Sequence, residues 1–464
     1  MDCAQGRSYA DPLLFFDFMR HLTTQGGGRP PHRDTLFQRG AKQPMRFSAA
    51  YGRSNCDETR CKMPARTVLI SGAGIAGPTL AFWLRRAGLQ ATLIDHAHAL
   101  RTSGYVIDIW GLGYDIAEKM GVADDMERVG YHMREVRIVG DRGERVTGFG
   151  TRVLGELTGG RYVTLGRSDL SRLIFDKVRT TTEAILGDQI VHLDERDDCV
   201  EVQFERSAGR RFDLVIGADG LHSHVRELAF GPEERFDRDL AYQVAAFEVR
   251  GYRPRDEAVY VVYCAPGRLL GRFALHDDRT LFLFVFASDP PSPPATSDLG
   301  TQKAILRAYF GGGGWECPRI LNELAHAQDL YFDRVSQIKM DRWSRGRIAL
   351  IGDAAFCVSL MAGQGSALAM TAAYVLAGEL AAAEGRHERA FGRYEALLRT
   401  FIESKQLGAE RFATAFAPKT RWGLFVRNQV IRTFAIPGLS RTMFGRDIAD
   451  TLLLPSYRWP LPQP

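Results

Sequence analysis

The sequence predicts an α/β fold. A Rossmann-like nucleotide-binding domain is interleaved with a smaller domain built on a mixed or antiparallel sheet, and C-terminal helices follow. Three observations lead there. From Thr67 to Asp95 a strand, a glycine-rich turn, a helix and a second strand ending in an acid succeed one another. Two more short apolar strands end in Gly217-Ala218-Asp219-Gly220 and Gly352-Asp353-Ala354-Ala355. Between these two lie four apolar runs separated by turn residues.

Residues 1–62 precede the first clear strand. They lack sustained periodicity, and Gly26-Gly27-Gly28-Arg29-Pro30-Pro31 breaks any helix. They carry ten Lys/Arg against six Asp/Glu, most of the chain's net charge of +5. They are expected to be a disordered or non-native extension, ahead of a machine that starts near Met63. The remainder is close to neutral, so no nucleic-acid footprint is expected. Seven scattered cysteines with no Cys-x-x-Cys argue against a disulfide framework or a zinc site, and for free thiols in a reducing cytoplasm. The window Ala354–Gly378 has no charge. The turn Gly363-Gln364-Gly365-Ser366 interrupts it, so a loop feeding a buried helix is expected rather than a membrane span.

The first motif is Gly72-Ala73-Gly74-Ile75-Ala76-Gly77, opening a helix that runs through Pro78 to Ala87. Gly72 makes the tight turn, Gly74 lets the backbone approach a pyrophosphate, and Gly77 permits close helix packing. The helix start at Ile75 and Ala76 offers free N–H groups and a partial positive charge to phosphate. Asp95 closes the second strand, where an acid accepts hydrogen bonds from ribose hydroxyls. This establishes a dinucleotide site and leaves FAD and a nicotinamide cofactor both open.

The second motif is Asp213 to Arg226, with Asp219-Gly220 at the end of its strand. The third is Gly346 to Ala355, with Ala362-Gly363-Gln364-Gly365 after it. The fourth is Gly166-Arg167-Ser168-Asp169-Leu170, with Arg167 just before a helix capped by Ser168. Together the four motifs resemble those of the single-component flavoprotein aromatic hydroxylases, and within them the tetracycline-inactivating and polyketide hydroxylases. The resemblance covers residues 67 to about 400. It implies FAD as cofactor, with Asp353 beside the pyrophosphate and ribityl chain. It places the Gly363, Gln364, Gly365 and Ser366 backbone at the flavin pyrimidine edge, Asp219 and Gly220 in a turn shared by FAD and nicotinamide, and Arg167 on the opposite side. Arg101 resembles the arginine that approaches the isoalloxazine. A helix start facing the flavin suits the negative charge that appears there on reduction. The resemblance further implies NADPH or NADH as transient reductant, molecular oxygen, a flavin C4a-hydroperoxide, and hydroxylation of an electron-rich aromatic or enolic carbon. The sequence departs from the pattern at Asp95, where Glu is usual, at Phe356, where His often stands, and at Cys357 to Met361, where a proline commonly precedes the flavin loop.

The nucleotide domain is assigned to 64–140, 160–235 and 335–400, the sheet domain to 141–159 and 236–334, and a C-terminal helical region to 401–464. The apolar runs 241–249, 258–264, 269–275 and 280–287 read as strands forming a wall of the substrate pocket. Asp289 to Pro294 reads as a rigid link. Asp108 and Trp110 are expected at the pocket edge, where the indole can stack on a flat substrate, and Phe356 beside it. No catalytic base is identified. From Pro418 to Arg446 six Lys/Arg are mixed with apolar residues and no acid. Packing across the protein is favoured there over membrane contact. The substrate is expected to be flat and hydrophobic. A flavoprotein oxidase or reductase on the same fold, and a non-catalytic flavin- or ligand-binding protein, are the rival readings. The sequence is silent on oligomeric state.

Overall fold

A computed structural model describes residues 66–100, 104–152, 155, 158–288, 298–359, 363–433 and 452–461. The extension 1–62, Arg101, the link 289–294, the segment Leu360–Ala362 and the tail from 434 to 446 lie outside these residues.

The nucleotide domain is a six-stranded sheet. Its order is Ser344–Arg345, Ile348–Leu350, Leu214–Gly217, Thr67–Ser71, Gln90–Asp95, Glu183–Leu186. All pairs are parallel except the edge pair formed by the first two. The inner strands read as continuous apolar runs because helices cover both faces. The glycine-loop helix Ala76–Arg86 and the long apolar helix Gly365–Ala382 pack against each other. Gly365–Ala382 is long and apolar enough to cross a membrane by length and composition, but 72% of it is buried inside the protein.

The second domain is a seven-stranded sheet in the order Tyr331–Ile338, Asp237–Arg250, Arg279–Ala287, Arg268–Ala274, Val259–Ala265, Glu135–Val139, Arg145–Gly150. The four apolar runs are thus consecutive neighbours within one sheet. Two strands cross the sequence-based boundaries. Glu135–Val139 pairs with Val259–Ala265, and Tyr331–Ile338 with Asp237–Arg250, so both belong to this sheet rather than to the nucleotide domain. The hairpin of Glu135–Val139 with Arg145–Gly150 follows from the turn Asp141-Arg142-Gly143 between two apolar runs, whereas the partners of Tyr331–Ile338 lie more than 80 residues away.

The period of two sorts the sheet into two unlike faces. Phe247, Leu270, Phe282, Phe284 and Phe286 point to one side, where the helices Leu299–Phe310 and Cys317–His326 cover them. Ala246, Tyr260, Phe273, Leu281, Leu283 and Tyr331 point to the other. That inner face meets a two-stranded antiparallel ribbon, Val106–Trp110 with Tyr162–Gly166. Ile107, Ile109, Val163 and Leu165 on the ribbon's far face are buried in the nucleotide-domain core.

The helix His387–Phe416 runs unbroken through the expected boundary at 401. After it, Arg421–Thr433 lies on the strands Arg145–Gly150 and Val259–Ala265, with Ile431 in their apolar cluster and Arg427 donating to Cys264 Sγ at 3.1 Å. The described part of the basic tail therefore packs on the protein, although Trp422 and Phe425 remain 60% and 51% exposed. Finally, Leu452 to Trp459 straps back over the nucleotide domain. Trp459 stacks on Trp83, Arg86 lies over both rings, and Tyr457 Oη donates to Glu379 at 2.9 Å. Gly378 is required beneath it, since a Cβ there would enter the Tyr457 ring.

Candidate functional site

The glycine loop is shaped by collisions it avoids. Gly72 has φ +111°, and a Cβ would strike the Ala218 carbonyl of the neighbouring turn. A Cβ on Gly77 would strike the Gly72 carbonyl. Around Gly74 nothing lies within 4 Å, so the loop is open only at its central glycine. The helix behind it has no side-chain cap and no acid in its first turn. Its first N–H groups are left for an anion. The helix Gly365–Ala382 starts the same way after Gly363 (φ +64°, open space) and Gln364, without a capping side chain or an acid.

Asp95 accepts from Ala73 N at 2.7 Å through one oxygen, which braces the glycine loop, and from Ala97 N at 2.9 Å through the other, which holds the turn after its own strand. Asp219 accepts from Ser223 Oγ, from Val225 N at 3.1 Å and from Ser71 Oγ at 3.4 Å. It ties the end of the first strand to the helix His224–Phe230. Asp353 differs. Burial pushes its carboxyl up, and Arg167 and the Cys357 thiol oppose this, although by geometry that thiol donates to Ser336 O at 3.6 Å. A deep carboxylate short of donors has capacity for hydroxyls from a ligand. The Arg167 charge also bears on Tyr105, whose phenol burial pushes up to about 12, and on Tyr331.

Asp108, Tyr105, Tyr260, Tyr331 and Asp353 share one property. Burial is the leading influence on the ionisation of each, yet each keeps accessible surface. They stand on the ribbon, on the inner side of the seven-stranded sheet and at the Asp353 turn, and each is packed on most sides while keeping some surface. Trp110 is half-buried on the ribbon, 6.3 Å from Tyr162 with the rings tilted. Phe356, expected at the pocket, is 2% exposed and packs 4.7 Å from Trp343, so it offers no surface to a ligand. An open cleft of about 420 Å³ lies outside the ribbon, with Tyr162 and Arg134 in its wall.

Sequence reasoning missed the hub of the site. Arg226, fully buried, donates to Ala354 O at 3.0 Å, Leu221 O at 2.7 Å and Glu233 Oε2 at 2.9 Å. It joins the Asp219 turn to the Asp353 turn. His222 sits beside it, 3.0 Å from Glu233 and 3.2 Å from Asp333. Hydrogen bonds to Asp333 and Glu233 raise its pKa from 6.5 to about 10. A folded-state value above the unfolded one stabilises the fold fully below about pH 6.5, and this contribution disappears as pH rises through 10. We expect His222→Gln to lose about 0.5–1 kcal/mol at pH 6, since the side chain is half exposed and screened. The loss should vanish above pH 10, as read by urea unfolding at both pH values.

This geometry defines a nucleotide-binding domain joined to a second sheet domain, and comparison with known proteins gives its class. The family described as FAD binding domain matches residues 65–401, and the chain belongs to it. It is an FAD-dependent monooxygenase of the aromatic hydroxylase type. A flavin-dependent monooxygenase from an unknown prokaryotic organism is 36% identical over 345 residues, 74% of this chain and 88% of that one. The crystal structure of tetracycline destructase Tet(55) is similar with TM-score 0.72 and 31% identity, covering 85% of this chain and 99% of that one. Klebsiella pneumoniae HpxO, complexed with FAD and uric acid, is similar with TM-score 0.68 and 25% identity, covering 82% and 96%. The residues present fit FAD: an open glycine loop, two uncapped helix starts and an acid short of donors answer its diphosphate, ring edge and polyol.

Proposed function

We propose that the enzyme uses NADPH or NADH and molecular oxygen to hydroxylate a flat, electron-rich aromatic or enolic substrate. What carries this is the open glycine loop with its uncapped helix start, the donor-poor Asp353 near the Arg167 charge, and the aromatic inner face of the seven-stranded sheet. FAD bound there supplies the redox and oxygen-transfer chemistry. Gly72, Gly74, Ile75, Ala76 and Gly77 present backbone to its diphosphate, with Asp95 holding the loop in shape and facing the ribose. Asp353 accepts from ribityl hydroxyls. Gly363, Gln364, Gly365 and Ser366 bring N–H donors and the positive end of a helix to the pyrimidine edge. Arg167 would bind FAD from the opposite side, Arg101, outside the described residues, is assigned to the isoalloxazine by resemblance alone, and Asp219 would steady the turn that serves FAD and nicotinamide. The apolar wall excludes water and holds the substrate plane.

The purified protein should carry about one FAD per chain, and a flat enolic compound should accelerate its NADPH oxidation. Tetracycline is a natural first choice, given the proteins it resembles. Reduction without oxygen incorporation would favour a reductase or oxidase, and absence of flavin would sink the reading. Asp353→Ala should weaken FAD binding by roughly tenfold or more, the worth of hydrogen bonds to a charged group, in titration of the apoprotein.

A further inference from the structure

The strap Leu452–Trp459 lies across the two helices whose starts are assigned to the cofactor. Leu452, Leu454, Tyr457 and Trp459 pack on the nucleotide-domain core, while Leu453, Ser456 and Arg458 face solvent. The contacts fall on the far halves of both helices. On Ala76–Arg86, Trp459 stacks on Trp83 at 4.9 Å, the Arg86 guanidinium lies 5.3 Å and 5.4 Å from the two indole centroids, and Leu461 N donates to Arg86 O at 3.1 Å. On Gly365–Ala382, Tyr374 Oη donates to Pro455 O at 2.8 Å and Tyr457 Oη donates to Glu379 at 2.9 Å. Tyr374 also meets Trp83 edge-on at 4.9 Å and Trp459 at 5.7 Å. Trp83, Tyr374, Tyr457 and Trp459 thus form one aromatic cluster keyed into both helices. Glu379, 2% exposed, is held on its other side by Arg393 at 2.8 Å, which ties in the helix His387–Phe416.

Nearer the cofactor, small residues separate the two helices. Gly352 sits between them, where an added Cβ would stand 3.2 Å from Ala369 Cβ and 3.4 Å from Ala76 Cβ. Small side chains allow this close approach but raise no ridge against sliding. The two starts must nevertheless address two parts of one ligand. A site preset to the spacing of its ligand binds more tightly than one that must be set on binding. We propose that Leu452–Trp459 is a positioning element for FAD: it locks the far ends of the two helices together and so presets the spacing of their starts. The inference rests on the FAD placement proposed above. Trp459 and Tyr457 act through the helices. Their loss weakens affinity, and it also changes the flavin's potential. The helix Gly365–Ala382 turns its positive end to the ring edge where negative charge appears on reduction, so a start that drifts loses more affinity for reduced than for oxidised FAD.

The test removes the strap, ending the chain at Thr451. The apoprotein is titrated with FAD at a temperature where its far-UV circular dichroism equals that of the full chain. The dissociation constant should rise about tenfold or more. Trp459→Ala should raise it about threefold to tenfold, the worth of one aromatic pair. Reduced FAD should lose a further factor of about three to ten, which lowers the two-electron midpoint potential by about 15–30 mV. Trp459→Phe should recover most of both losses. Gly378→Ala is an independent check. Its methyl enters the Tyr457 ring and lifts the strap, while alanine suits the helix better than glycine. It should weaken FAD binding with no loss of helix. If the shortened chain does not fold, the Trp459 and Gly378 variants carry the test. Unchanged affinity and potential in these variants overturn the proposal. So does an affinity that falls only in step with the unfolded fraction while the potential stays fixed. Gly74→Ala separates this proposal from the placement beneath it. If that variant loses FAD while the strap variants keep full affinity and potential, the strap alone is refuted. If it keeps FAD, the placement itself fails.

Discussion

Replacing Arg226 with methionine is expected to destabilise the protein by about 3–5 kcal/mol, measured by urea unfolding. The arginine is wholly buried, and its guanidinium satisfies the Ala354 and Leu221 carbonyls and Glu233. Methionine fills much of the volume but leaves the Glu233 carboxylate and two carbonyls without that donor. His222 and Arg334 remain near Glu233 and keep the cost from rising further. FAD retention should fall along with stability, because the arginine fixes the backbone on which Asp353 sits. Arg226→Lys should recover part of the loss, as one ammonium cannot reach all three acceptors in the geometry of the planar fork. Full stability in the methionine variant would mean that the turns are held independently.

Gly77→Ala is expected to have the larger effect on cofactor. The added methyl would occupy the position of the Gly72 carbonyl oxygen, which is backbone and cannot swing aside. The helix must then move away from the strand, and the open end of the loop at Gly74 changes shape. A cost of about 2–4 kcal/mol follows from overpacking a closed contact. Dialysed protein should come out colourless or nearly so. Gly74→Ala makes the informative contrast. The apoprotein has space for that methyl and should keep its stability, yet the methyl fills the approach reserved for phosphate. A Gly74→Ala variant that keeps FAD at wild-type affinity would contradict placement of the diphosphate there.

The parts of the site legible in the sequence are those whose geometry is local. The glycine loop, the Asp219 turn and the Asp353 turn each combine a strand end with a glycine-bearing turn, and the collisions avoided at Gly72 and Gly77 explain the spacing. The four sheet strands were legible because each run is apolar and bounded by turn residues. What stayed hidden depends on partners brought from afar. Arg226 looked like one more helix residue until the Ala354 carbonyl arrived from 128 positions away. Phe356 could serve a pocket or a core, and Trp343 decides for the core. Asp108 was visible as an acid in a short strand, but its hydrogen bonds from Tyr162 and Thr164 follow from the pairing with Tyr162–Gly166. The strap residues Tyr457 and Trp459 gave no local sign of where they dock.

The strand order of the nucleotide sheet also bears on how the chain is made. Thr67–Ser71 leaves the ribosome early, but Leu214–Gly217, one of its two neighbours, follows about 140 residues later, and Ile348–Leu350 later still. At about 5–20 residues per second, the first strand and its glycine loop wait roughly 7–30 s for that neighbour. The contiguous hairpins from Asp237 to Ala287 follow, and Tyr331–Ile338 completes their sheet shortly before Ile348–Leu350 emerges. Flavin capture is therefore a late event in biosynthesis. Slower translation, lower temperature and a supply of riboflavin should matter more to the yield of active enzyme than any single stabilising substitution.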